Sequence, residues 1–141
     1  MANIRHNLTI EAPVKKVYDA ITLEQGLRGW WTNDASAKPE IGHINHFKFG
    51  TEYFNKMEVS KLKFPTNVTW ICKDGDKEWI GTKLTFDLED KEGVTSLKFS
   101  HLNWAEESEF FGFCNHQWGR FLDSLKSLCE TGKGQPFKQE Q

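Results

Sequence analysis

The chain lacks the features that would tie it to a bilayer, a nucleic acid, a disulfide framework or a known catalytic motif. No apolar run in its 141 residues approaches the roughly 18 needed to cross a membrane. Met1 to His6 has no basic-then-apolar leader layout and runs straight into a strand pattern, so we expect a cytoplasmic protein. Charge is balanced, with 18 basic and 20 acidic residues and a net charge of −2. That leaves no basic stripe for nucleic acid, and the mixed charges read as a solvated face. Cysteine is scarce: Cys72, Cys114 and Cys129 form an odd set without CxxC spacing, which points to reduced thiols. Five histidines are present, but His43 and His46, three apart on a strand pattern, face opposite sides, and no Glu or Cys completes a site. We therefore expect no metal and no cofactor. No nucleophile elbow, phosphate loop, dinucleotide fingerprint or triad spacing is found.

What the chain does have is aromatic mass. Six tryptophans, eleven phenylalanines and two tyrosines bring aromatics to 13%. Flat rings bury large areas but leave irregular gaps, so a core built from them can enclose space.

The hydrophobic period gives the order of elements. Asn3 to Glu11 alternates, with Ile4, His6, Leu8 and Ile10 on one face. Pro13 opens a short helix whose Val14, Val17, Tyr18 and Ile21 share a face. Thr22 and Gln25 suggest a capping box for a second short turn, broken up by Gly26 and Gly29 before Trp30-Trp31. Thr32 to Glu40 reads as a loop. Strand patterns follow at Ile44–Phe49, Glu52–Leu62, Asn67–Cys72, Ile80–Leu88 and Thr95–His101, joined by turns such as Asp74-Gly75. These connections are too short for parallel crossovers, so the strands pair antiparallel. From Ser108 to Thr131 the period becomes helical: Cys114, Trp118, Phe121, Leu122, Leu125 and Cys129 form one apolar stripe, stopped by Gly132. Lys133 to Gln141 is polar and expected to fray. The expected fold is α+β: a curved, antiparallel six-stranded sheet wrapped around a long C-terminal helix, with two short helices after the first strand. One domain spans 1–134, and 135–141 is a polar tail. A sheet larger than one helix can cover leaves volume for an apolar cavity.

In this order of elements the chain resembles the SRPBCC superfamily of START-like, helix-grip proteins. Within it, the similarity is to the branch named after the C-terminal domain of the activator of heat-shock-protein-90 ATPase. The resemblance is carried by Ile10-Glu11-Ala12-Pro13-Val14-Lys15-Lys16-Val17-Tyr18, by Trp30-Trp31 and by Trp79-Ile80-Gly81-Thr82. It continues through Thr95-Ser96-Leu97-Lys98-Phe99-Ser100-His101 and Trp118-Gly119-Arg120-Phe121-Leu122 with Leu125-Lys126, and so covers about Asn3 to Gly134. The superfamily includes lipid carriers, hormone receptors and polyketide cyclases, so fold and function are separate inferences.

Three functional readings follow. The first is a binding protein for a small apolar or aromatic molecule. The second is a chaperone partner, as the branch name implies. The third is a cyclase- or hydrolase-like enzyme, which needs a polar pair inside the cavity. The candidate ligand-binding residues are Trp30, Trp31, Phe49, Trp70, Phe86, His101, Trp104, Phe113 and Trp118. Trp30 or Trp31 is expected at the cavity corner. Trp70, Trp104 and Phe113, near loops and helix starts, are expected to be incompletely enclosed. His101 points inward at a strand end, where a neutral imidazole can hydrogen-bond a ligand, or work as an acid–base group with Glu58, Glu78 or Asp87 beside it. His116 flanks the helical stripe. A homodimer through an exposed strand edge is also compatible with the pattern.

Overall fold

The computed structural model describes residues 1–138. Among them the elements run β1 (Ala2–Ile10), α1 (Val14–Thr22), α2 (Glu24–Trp30), β2 (Asp34–Ser36), β3 (Ile44–Phe49), β4 (Tyr53–Lys63), β5 (Asn67–Gly75), β6 (Lys83–Lys91), β7 (Val94–Trp104) and α3 (Glu109–Thr131). The strands form one antiparallel sheet in the order β1-β7-β6-β5-β4-β3-β2. This is the helix-grip arrangement, but with seven strands rather than the six expected. The extra strand is β2, which pairs Ala35 with Phe47 inside the segment read as a loop. Three residues are too few to show a period, and tertiary contacts make the strand: Ala35 is buried, and its carbonyl accepts from Arg28 Nε at 2.8 Å.

Two local expectations are also corrected. Thr22 does not cap α2; its hydroxyl donates back to the Tyr18 carbonyl at 2.8 Å, which leaves Leu23 at the cap position without a side-chain bond. Gly26 does not break the helix but lets it pack. A Cβ there would lie 2.5 Å from Ala20 Cα, so only glycine allows α2 to sit this close to α1.

The strand read as starting at Ile80 starts at Lys83 instead. Residues 76–81 form a turn, in which Asp76 Oδ1 accepts from Glu78 N at 2.8 Å. The turn leaves Ile80 exposed and packs the Trp79 ring against Trp104 and Trp118.

α3 begins where expected. Ser108 Oγ accepts from Phe111 N at 3.1 Å, supplying the first turn with a partner it lacks. Its buried face carries Cys114, Trp118, Leu122, Leu125 and Cys129. Trp118 is the pivot, with ring centroids 4.4 Å from Phe99, 5.2 Å from Trp31 and 6.0 Å from Trp79.

The segment after α3 is docked rather than frayed as far as it is described. Gln135 N donates to Ser124 Oγ at 2.6 Å, and Phe137 N to the Trp31 carbonyl at 2.8 Å. Phe137 also bridges Thr32 in parallel, and its ring lies 5.8 Å from that of Phe49. The final three residues of the expected tail, 139–141, lie outside the described residues.

Candidate functional site

Between the β3–β4 hairpin and the first half of α3 lies a cavity of about 270 Å³. Five parts of the chain build it. α3 contributes Phe110, Phe113, Cys114, Gln117, Trp118 and Phe121, which are residues at helical spacing on one face. The β3–β4 hairpin contributes Phe49, Tyr53, Phe54 and Asn55. Trp31, the turn residues Asp76 and Trp79, and Phe137 from the C-terminal segment close the remaining sides. The floor is sealed and the rim is open: Trp31 is 1% exposed, whereas Phe113 at the mouth is 53% exposed.

Two buried polar atoms at this cavity have no protein partner, Asn55 Oδ1 and Trp79 Nε1. Asn55 occupies an inward position on β4, in the row continued by Met57 and Val59. Gly75 makes this corner tight: it sits at φ +134°, and an added Cβ would lie 2.7 Å from the Phe54 carbonyl oxygen. A buried polar atom without a partner costs about 1–3 kcal/mol. A third such atom, Trp104 Nε1, lies behind the cavity lining.

The cavity is nearly free of chargeable groups. Asp76 is its one carboxylate, and among the described residues no Lys, Arg or His lines it. Burial pushes the Cys114 thiol up to about 12; the nearby Trp79 N–H pulls the other way without making a hydrogen bond of normal geometry. This thiol is therefore protonated at neutral pH and is no nucleophile. Among the described residues no cluster of His, Cys, Asp and Glu could hold a metal ion.

Of the nine residues expected at the site, Trp31, Phe49, Phe113 and Trp118 line the cavity. The other five sit behind that lining. Trp30 is fully buried, its Nε1 donating to the Ala20 carbonyl at 2.8 Å. Trp70 and Phe86 pack under Trp31 and Trp30, with Trp70 stacked on Trp31 at 5.8 Å. Proximity to loops did not keep Trp70 and Trp104 open, because Trp31 covers the first, while Trp79, Phe110 and Phe111 cover the second.

His101 is the most informative displacement. It points inward as expected, but into solid core. Thr82 Oγ1 lies 2.8 Å from Nε2, and Trp118 Nε1 donates to Nδ1 at 3.1 Å. Burial holds its pKa far down, at about 3, so the imidazole is neutral and fully occupied. The carboxylates considered as its partners lie elsewhere: Glu58 pairs with Lys73, Glu78 accepts from Ser108, and Asp87 accepts from Asn67. His116 faces a shallow groove shared with His6, on the β1 side of α3.

The lining residues not among those nine are Tyr53, Phe54, Asn55, Asp76, Trp79, Phe110, Cys114, Gln117, Phe121 and Phe137. A signal existed for Gln117, a polar residue at i+3 from Cys114 and i−4 from Phe121 within an apolar face. Trp79 and Phe137 lie in segments without a period, where no such signal exists.

Residues 11–130 match the family described as Activator of Hsp90 ATPase homolog 1-like protein. The chain belongs to that family. A search of curated proteins finds no match to it. Among solved structures, this Hsp90 ATPase activator-like chain is similar to the Aha1 dimer from Colwellia psychrerythraea. The two share 39% identity over 95% of this chain and 100% of the other, with a TM-score of 0.86. Two more distant structures show the same fold. MLL2253 from Mesorhizobium loti has 18% identity over 90% of this chain and 96% of its own, with a TM-score of 0.79. CalU16 from Micromonospora echinospora has 16% identity over 94% and 76%, with a TM-score of 0.73. The activator-like family thus agrees with the resemblance drawn from the sequence. Among the described residues no helix is long and apolar enough to cross a membrane.

Proposed function

We propose that the chain binds a small apolar or aromatic molecule in the cavity between sheet and α3. The observation that carries this reading is the cavity itself: about 270 Å³, walled mostly by aromatic rings, with a few inward polar atoms. Small-molecule sites commonly have this composition. The reading favours holding over turnover, because His101, the expected acid–base group, is sealed in the core. The three cysteines, free and buried, support a reducing, cytoplasmic setting. The chaperone-partner alternative rests on the family description and would use a surface outside the cavity.

A second reading concerns assembly. The similar Colwellia protein is a dimer, and here Tyr53, Phe54 and Phe113 expose large rings together at the cavity mouth. A second copy seated on this rim would cover them, so a homodimer and ligand closure can share one surface.

The test of binding is a thermal-shift screen of flavonoids, sterols, fatty acids and polyketide-like aromatics, with native mass spectrometry of the purified protein. A ligand that binds only the folded state raises Tm with its saturation. A hit lost in Trp31→Ala or Phe113→Ser places it in the cavity. A flat response across the panel, with no co-purified mass, would sink the binding reading.

A further inference from the structure

We infer that the cavity selects planar aromatic molecules that carry a hydrogen-bond-donating group and no negative charge. The inference rests on the binding reading above and narrows it to a chemical class.

Planarity comes from ring orientation. Trp118 lies within 28° of parallel to Trp31 and 16° to Trp79. At the mouth, Phe110 lies 16° from parallel to Tyr53 and 17° to Phe113. Walls made of near-parallel faces accept a flat ring that continues the stack, and waste contact on a bent or bulky one.

Charge selection comes from what surrounds the void. An anion entering it would lose water and meet no cation, since among the described residues no basic side chain lines the cavity. It would instead face the Asp76 carboxylate and the electron-rich faces of the rings. Fatty acids and other carboxylates are therefore disfavoured, and neutral or cationic aromatics are accepted.

The polar requirement comes from Asn55 and Trp79. Asn55, 4% exposed, places an acceptor without a donor in an otherwise apolar row, and the Trp79 indole N–H lies beside the Cys114 thiol without a hydrogen bond of normal geometry. An amide or hydroxyl on the ligand answers both, directly or through one water held in the cavity.

The experiment titrates the ¹⁵N-labelled full chain with naphthalene-2-carboxamide, naphthalen-2-ylmethanamine, 2-naphthoate and 2-methylnaphthalene, reading the indole N–H signals by NMR. The expected result is that the carboxamide and the amine bind at least about tenfold tighter than naphthoate, with the Trp79 signal moving downfield for the carboxamide. Asn55→Leu should weaken the carboxamide by about tenfold and leave 2-methylnaphthalene unchanged, since one hydrogen bond is lost. Asp76→Asn keeps the oxygen that accepts from Glu78 N, so it should fold normally and raise naphthoate affinity. Naphthoate binding within about threefold of the carboxamide, in both native chain and Asp76→Asn, would overturn the charge selection while leaving the binding reading intact. An Asn55→Leu chain that folds and binds the carboxamide unchanged would overturn the polar requirement. No indole response to any of the four would remove the binding reading and this inference together.

Discussion

The aromatic cluster of this protein has two halves that obey different rules. In the inner half, around Trp30, Trp70, Phe86, Phe99 and His101, every ring is enclosed, and the polar atoms of Trp30 and His101 have partners. In the outer half Phe110 stacks on Tyr53 and Phe113, the rings of Tyr53, Phe54 and Phe113 stay open to solvent, and Asn55 and Trp79 keep unpartnered polar atoms. The same residue types are present in both. What differs is enclosure: the inner rings are covered on every side, and the outer rings border a void. Unpartnered polar atoms occur in both, since Trp104 Nε1 also lacks a partner behind the lining.

The largest effect should come from breaking the inner half. Trp70→Ala empties a space enclosed by Trp31, Phe47 and Phe86, and should cost about 3–5 kcal/mol in a urea melt. That is a large share of the roughly 5–15 kcal/mol that holds a domain together.

Acid should attack the same half through His101. Its pKa is about 3 when folded, against an ordinary value of 6.5 when unfolded. The unfolded chain binds the proton more readily, so stability is full above pH 6.5 and falls as pH drops toward 3. The decline approaches about 1.4 kcal/mol per pH unit in that window. Unfolding free energies measured at pH 7, 6, 5 and 4 would reveal it, and a curve that stays level to pH 4 would show that the imidazole is not sealed.

The smallest stability effect should come from the outer half. Phe113→Ser removes a ring that is 53% exposed, and should change stability by no more than about 0.5 kcal/mol. It should instead weaken ligand binding, and sedimentation should show any dimer dissociating at higher concentration. A Phe113→Ser chain that loses as much stability as Trp70→Ala would erase the distinction between the halves.

The fold was legible because its signals are periodic. Alternation in Ile4 to Ile10 and Thr95 to His101, and the stripe from Cys114 to Cys129, are set by backbone geometry, and the structure follows them. β2 was not legible, because three residues carry no period and its existence depends on Ala35 meeting Phe47 across the sheet. The site was half legible. Inward direction could be read for His101 and Trp70, but depth could not, since depth depends on which remote ring lies on top. Trp79 and Phe137 reach the cavity from a turn and from beyond the last helix, positions fixed by chain path rather than by local pattern.

The pairing of β1 with β7 has a consequence for how the chain assembles. Strands β2 to β7 can zip in sequence as neighbouring hairpins, but Ile10 must find Thr95 and Ile4 must find His101 across most of the chain. Contacts this remote in sequence are slow to form, because the loop they close must first surrender its freedom. As the chain leaves the ribosome, the first strand has to wait for the seventh before it can be placed. Folding should then be limited by this late closure, with the nascent chain holding an unsatisfied edge until synthesis reaches Trp104.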